Sequence, residues 1–404
     1  MLALPWYLHA LGPKLWGLVG FVSTLQAVLA ILDAGVGQAL VREMAVRLGD
    51  AGNTKRRAAA LLFGFERIYW SFALIVAAIT GLSANIIATG WMKLGDLPSW
   101  YGQLAVYGAA ALFFVQLPST TYRSVLVGSE SQLTLNVLNV IFVLLRHGGG
   151  VIVVLVHPTL MAYLIWQVTI SFADTLFRAI AAWRIVGMKR SRIIWDPEEI
   201  RKSLAVAIPM SGAVLLGVLS VQMDKIILSR IVPIEQFGYY MIASSVGLGV
   251  LQLVAPINQA ILPRLVALRN DSREQRKLNI KHAGLNVSII AGATFIFALF
   301  GKTLLYVWLR KSEAAAAVFL PLVLLLCGSA MNALYNIGYL NWMARGKTVK
   351  IMQVNVASIV FAIILIPPLT ELYGLPGGAI GWLGMNLIGF ILSLESIISR
   401  RSNA

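Results

Sequence analysis

The chain has one cysteine, Cys327, in 404 residues, which excludes a disulfide framework and a thiolate metal centre. Its four histidines, His9, His147, His157 and His282, are too scattered to form a ligand pair. Charge is scarce as well. Only 12% of the residues are Asp, Glu, Lys or Arg, about half the share of a soluble globular domain, and acidic residues are the rarer kind, 17 against 33 Lys and Arg. The phosphate-binding glycine is also missing. GKT occurs at 301–303 and at 346–348, but the glycine that a phosphate loop needs five residues earlier is replaced by Ile296 and Asn341, so ATP hydrolysis has no support.

Apolar sequence takes the place of charge. Hydrophobic residues make up 58% of the chain and the mean hydropathy is +0.79, the composition of a membrane protein. A spanning helix needs ~20 mostly apolar residues. Eleven stretches qualify, near 16–39, 59–81, 103–126, 133–156, 159–183, 203–229, 236–262, 283–307, 315–340, 351–370 and 376–398.

The net charge of +16 raises the question of nucleic acid, and the positions of the charges answer it. With 42–58 taken as cytoplasmic and the loops counted alternately, most basic residues fall on that side. Lys14, Lys93, Arg230, Lys302, Arg310 and Lys311 fall on the other, and Arg67, Arg146 and Lys225 lie within spans. The basicity therefore reports membrane orientation, and no nucleic-acid partner is expected. The segments 184–202 and 262–282 are the long basic connections and are expected to be cytoplasmic interfacial helices.

An internal repeat orders the spans. A shift of 221 residues superposes Gly17 on Gly238, Ser23 on Ser244, and Gln38-Ala39 on Gln259-Ala260. Two parallel halves follow, related by an axis along the membrane normal. The helix at 203–229 would then correspond to positions that mostly precede Met1, and "MLALPWYLHALGPK" reads as the end of a first helix. The expectation is a twelve-span pattern with its first helix truncated in this sequence.

Several spans carry polar residues at helical spacing that lipid would not tolerate. One stripe is Ser23, Gln26, Ala30, Asp33 and Gly37; a second is Asn136, Asn139, Val143, Arg146 and Gly150. Two more are Gln167, Ser171, Asp174 and Arg178, and Ser329, Asn332, Asn336 and Tyr339. Arg146 sits near mid-span, where an arginine costs ~2.5–3.5 kcal/mol on insertion scales. Two readings stand: a cation facing an anionic substrate, or an internal pair with Asp33 or Asp174. Asp174 and Arg178, four apart, suit a helix-face pair, while Asp174 and Asp33 also suit proton or ion coupling. Asn332, Asn336 and Tyr339 suit sugar hydroxyls or interhelical hydrogen bonds alike. Glu66 and Arg67 read as structural, and Asp224 and Lys225 as snorkelling near a span end. The glycines of "RHGGGV", 146–151, would let the helix bend beside Arg146.

"LGPKLWGLVGFVSTLQAVLAILDAGVGQALVREMA", 11–45, resembles the second-helix signature of the polysaccharide and O-antigen flippases (Wzx type) of the multidrug/oligosaccharidyl-lipid/polysaccharide exporter superfamily. "VQMDKIILSRIVPIEQFGYYMIASS", 221–245, resembles the matching opening of the second half. The resemblance implies an all-α polytopic protein of two parallel six-helix lobes arranged as a V. The lobes would be 1–186 and 203–404, joined by a cytoplasmic linker at 187–202. It implies non-enzymatic alternating-access transport of a polyprenyl-diphosphate-linked oligosaccharide across a bacterial inner membrane, with a cytoplasmic C-terminus. In that reading Arg146, Arg178 and Arg123 serve the diphosphate, Asn332, Asn336 and Tyr339 line the cavity, and Asp33 and Asp174 couple an ion. No cofactor, metal or catalytic residue is implied. The partners would be the lipid-linked substrate, membrane lipid and polysaccharide polymerase machinery, around a monomer. Two alternatives remain: a multidrug antiporter of the same superfamily, which the central arginine disfavours for cationic drugs, and a membrane enzyme acting on lipid-linked sugars. The enzyme would need a sizeable outer loop, and the longest lies around 89–102.

Overall fold

The computed structural model describes residues 3–33, 36–49, 54–188, 197–268 and 271–398. Among these it is helical almost throughout. The helices are α1 (Leu4–Ala30), α2 (Val36–Gly49), α3 (Thr54–Leu82), α4 (Ala84–Gly90), α5 (Ser99–Gln116), α6 (Ser119–Gly128), α7 (Gln132–Leu144) and α8 (Gly150–Val156). They continue with α9 (Leu160–Val186), α10 (Pro197–Ile231), α11 (Ile234–Gly249), α12 (Leu251–Ala267), α13 (Ser272–Leu309), α14 (Ser312–Ala344), α15 (Thr348–Tyr373) and α16 (Leu375–Ile398). Helix is what an apolar solvent demands, because it satisfies every backbone N–H and C=O within one segment.

Ten helical stretches among the described residues are long and apolar enough to cross a membrane. The eleventh expected from the sequence, 203–229, lies in α10, where the side chains of 202–211 are outside the described residues. Residues 189–196 of the expected linker are outside them too. Some expected boundaries move. The basic segment 262–282 is no separate interfacial helix: α12 runs to Ala267, and from Ser272 the chain enters α13, a helix of 38 residues, whose first turn is capped by Asp271. Asp271 accepts from the backbone N–H groups of Arg273 and Glu274, which fixes that start.

The chain divides into two compact units, one made of Phe21–Leu215 and the other of Met1–Gly20 with Leu216–Ala404. In the first, α9 packs on α5, α6, α7 and α8, α3 packs on α5, and α2 on α6. In the second, α16 packs on α14 and α15, while α13 and α12 pack on α14. These are the same neighbours under the 221-residue shift, so each unit repeats one helical arrangement. α10 supplies the second unit with a further helix, packing Met223, Leu219 and Ile226 against Ala362, Ile366 and Met385 of α15 and α16.

The repeat also governs the packing of α1 on α11. α1 breaks at Gly12, whose φ of 75° belongs to the left-handed region, and Pro13 restarts it. Beyond the break, a Cβ at Gly238 would lie 2.6 Å from the Pro13 carbonyl oxygen, and one at Gly17 would overlap the Ile234 carbonyl. Gly17 and Gly238 are equivalent under the shift, and so are Pro13 and Ile234. Each glycine thus receives the partner of the other, the reciprocity of a two-fold contact, and backbone meets backbone because neither carries a side chain.

Candidate functional site

The first unit gathers the sequence-predicted charges at the junction of α7, α8 and α9. Between α7 and α8 the helix widens into a π-helical turn at Leu145–Gly149, the site of the expected bend. Two α9 side chains brace it: Trp166 Nε1 donates to the Leu145 carbonyl at 3.1 Å and Gln167 Nε2 to the Arg146 carbonyl at 3.4 Å. Gly149 leaves the space that the Trp166 ring fills. The turn thereby sets the direction of Arg146.

Arg146 meets Asp174 of α9, with Nη2 3.6 Å from Oδ2. Asp174 is already engaged. Arg178 Nε donates to its Oδ1 at 2.6 Å and Nη2 to its Oδ2 at 3.4 Å, and the same Nη2 donates to Asn139 Oδ1 of α7 at 2.9 Å. Two guanidiniums therefore share one carboxylate, leaving one positive charge in excess. The two arginines are held differently: the Arg178 side chain is 7% exposed, whereas that of Arg146 is 27% exposed and its buried Nε has no hydrogen-bond partner. The sequence left open whether Arg146 pairs with Asp33 or with Asp174; in the structure the partner is Asp174.

Asp33 belongs to a different cluster. α1 ends at Ala30 and passes through a 3-10 turn, Ile31–Asp33, so Asp33 stands at a break and not on the continuous helical stripe expected from spacing. Its Oδ1 accepts from Tyr69 Oη of α3 at 2.5 Å. Deeper in α1, Gln26 donates to Gln116 at 3.3 Å and Gln116 donates to Ser171 of α9 at 3.0 Å. Glu66 accepts from Tyr122 at 2.6 Å, and Arg67 lies 4.3 Å from the centre of the Phe63 ring. Arg123 is exposed on α6 and does not join Arg146 and Arg178 among the contacts described.

In the second unit, Asn332 donates to Asn386 of α16 at 2.7 Å, Asn336 donates to Asn332 Oδ1 at 2.9 Å, and the Tyr335 and Tyr339 rings meet edge-on at 6.2 Å. Asn332 and Tyr335 line a polar cavity of about 50 Å³ with Asn355, Ser358, Trp382 and Asn386. Tyr335 Oη and Trp382 Nε1 have no protein partner there, and the space suits one or two waters.

Asp224 and Lys225 require a correction. They do not snorkel: Asp224 is fully buried and Lys225 4% exposed, joined at 3.0 Å. Tyr240 Oη donates to Asp224 at 2.7 Å and the ammonium lies 5.6 Å from the Trp382 ring centre. Adjacent residues on a helix seldom face one another, and this pair closes because α11 and α16 cover it.

One polar seam escaped the sequence reading. Gln275, Asn279, His282 and Asn286 form a single buried stripe on α13. His282 Nε2 lies 2.7 Å from Asn258 Oδ1 of α12, and Gln275 bridges Asn341 of α14 and Arg345 at that helix's C-cap. The spacing of four, three and four is that of a helical stripe, but it lies in a segment rich in Lys and Arg, whose pattern resembles a solvated basic connection.

These features define a multi-pass, all-helical membrane protein with a transporter fold. Over 98% of this chain and 92% of the other, with a TM-score of 0.75 and 13% identity, it resembles an inward-facing multidrug resistance MATE family transporter of the MOP superfamily. It resembles the lipid II flippase MurJ, inward closed, with a TM-score of 0.65 and 12% identity over 95% of this chain and 85% of that one. A Shigella flexneri protein named "Putative O-antigen transporter" is 23% identical over 375 residues, 93% of this chain and 87% of its own length. The family model described as polysaccharide biosynthesis protein matches residues 1–269. The chain belongs to that family, and membrane transport is its business.

Proposed function

We propose that the protein carries a polyprenyl-diphosphate-linked oligosaccharide across the bacterial inner membrane, with its C-terminus in the cytoplasm and a single chain as the working unit. The observation that carries this reading is the excess cation at Arg146, Asp174 and Arg178. A polar headgroup cannot cross hydrocarbon unaided, and a half-open guanidinium at membrane depth offers a diphosphate a charged partner along a protein-lined path. Arg178 positions the carboxylate that holds Arg146, and Arg123, exposed on α6, offers a second cation for the same anion.

Asn332, Asn336 and Tyr339 supply amide and phenol groups suited to sugar hydroxyls. Asp33, bound to Tyr69 at a helix break, is the residue proposed to couple an ion, with Asp174 as the second candidate. The proposed halves are 1–186 and 203–404, joined through 187–202; they follow the chain order of the repeat, whereas the compact packing units group residues 1–20 with the second half. Family membership, with an O-antigen transporter among the similar proteins, supports the substrate class. The reading makes the protein a carrier and not a catalyst.

The test is genetic and chemical. Deleting the gene should remove surface polysaccharide and leave its lipid-linked oligosaccharide accumulated, and the wild-type gene should restore export where Arg146→Gln does not. Full restoration by Arg146→Gln would remove the arginine from the mechanism.

A further inference from the structure

The second unit contains a groove that the transport reading does not use. Its cavity, about 850 Å³, is lined by Trp6 and His9 of α1, Phe297, Leu304 and Trp308 of α13, and Arg310 and Lys311 in the turn to α14. The lining is mostly apolar, and Arg310 and Lys311 are the cations in it. A second cleft of about 400 Å³ shares Arg310 and Lys311 and adds Glu235 and Glu313. The turn is fixed: Arg310 adopts a left-handed conformation, φ 54°, and its N–H caps the Tyr306 carbonyl, while Lys311 is extended. Tyr239 hydrogen-bonds Glu235. Among the described residues no ion pair joins Arg310 or Lys311 to either carboxylate.

The two cations are common to an apolar groove and to a cleft with two carboxylates, so the paired sites offer apolar, cationic and anionic chemistry side by side. We propose that this site binds one phosphatidylethanolamine molecule, an acyl chain in the groove, the phosphate between Arg310 and Lys311, and the ammonium on Glu235 and Glu313. That combination selects among lipids. A purely anionic headgroup would satisfy the cations and meet two uncompensated carboxylates, which costs affinity. A choline headgroup has the right charge but no N–H to donate, whereas a primary ammonium donates three. An uncharged lipid leaves both pairs idle. The site lies at the C-terminal end of α13, 38 residues long, opposite its basic first turns, so it takes lipid from the leaflet on that side.

The experiment uses the full-length protein in nanodiscs containing equal parts of phosphatidylethanolamine, phosphatidylglycerol and phosphatidylcholine, released for native mass spectrometry. Wild type should retain phosphatidylethanolamine preferentially. The double variant Glu235→Gln, Glu313→Gln should lose that preference by about tenfold, roughly 1.4 kcal/mol, in favour of phosphatidylglycerol. Arg310→Gln with Lys311→Gln should lower retention of both lipids, and Arg310→Lys with Lys311→Arg should keep the wild-type pattern. Arg310, Lys311 and Glu313 are exposed and Glu235 is half-buried in the first turn of α11, and a monodisperse, helical preparation of each variant verifies folding. Equal retention of the three lipids by wild type would reduce the groove to a greasy surface and overturn the proposal. So would a phosphatidylglycerol preference that survives in wild type, or displacement of the bound lipid by millimolar inorganic phosphate.

Discussion

Arg146 and Arg178 touch the same carboxylate, yet their removal should have opposite consequences. Arg178 is 7% exposed, binds Asp174 through two atoms, with Nε at 2.6 Å, and also holds Asn139. Replacing it with Gln leaves Asp174, 13% exposed, with only the contact to Arg146 at 3.6 Å. Breaking a buried pair by removing one partner costs about 3–5 kcal/mol, because the remaining charge keeps its desolvation penalty. Arg146 is more open and its contact is longer, so its loss resembles that of a partly exposed ion pair, at most about 1 kcal/mol, and Asp174 keeps Arg178. Arg178→Gln should therefore lower the unfolding midpoint of the purified protein clearly, in a thermal scan at fixed rate in one detergent. Arg146→Gln should leave the midpoint nearly unchanged and yet abolish polysaccharide export. Equal destabilisation by the two substitutions would refute the division into a positioning residue and a substrate-facing one. An Arg146→Gln protein that is stable and fully active would refute the second role by itself.

Three further outcomes follow from the packing. Leucine at Gly17 or Gly238 should prevent accumulation of folded protein, since a Cβ at Gly238 already lies 2.6 Å from the Pro13 carbonyl and overpacking costs ~1–3 kcal/mol or more; membrane-fraction yield measures it. Lys225→Met should destabilise more than the double variant Asp224→Leu, Lys225→Met, because the single change leaves Asp224 buried with Tyr240 alone; unfolding midpoints of the three proteins give the coupling. Asp33→Asn and Tyr69→Phe should each leave the protein folded while changing how transport responds to external pH or sodium, read in cells or vesicles with an imposed gradient.

The parts of this molecule that could be read from the sequence are those set by short-range patterns. Apolar runs of spanning length, the positions of Lys and Arg, and the 221-residue repeat required no tertiary information. The repeat even identified two glycines that turn out to meet each other. The Asp174 and Arg178 pair was legible because four residues on a helix is a contact distance. Arg146 was legible as anomalous and as a candidate partner of Asp33 or Asp174, but the choice between them was not, because its direction depends on a π-helical turn braced by Trp166 from another helix. Asp33 was assigned to a continuous stripe because helical spacing does not reveal the 3-10 turn that ends α1. Asp224 and Lys225 looked cheap near a span end, and only the covering helices, with Tyr240 and Trp382, show them to be buried. Lateral contacts of this kind have no local signal.

Export itself gives the most direct test of the account. In cells lacking the gene, lipid-linked oligosaccharide and surface polysaccharide would be quantified together with ethidium efflux, after complementation with wild type or with Arg146→Gln. The account predicts that deletion removes surface polysaccharide and accumulates the lipid-linked precursor, that wild type reverses both, that Arg146→Gln reverses neither, and that efflux is unchanged throughout. Normal polysaccharide with impaired ethidium efflux would contradict it and identify the chain as a drug antiporter.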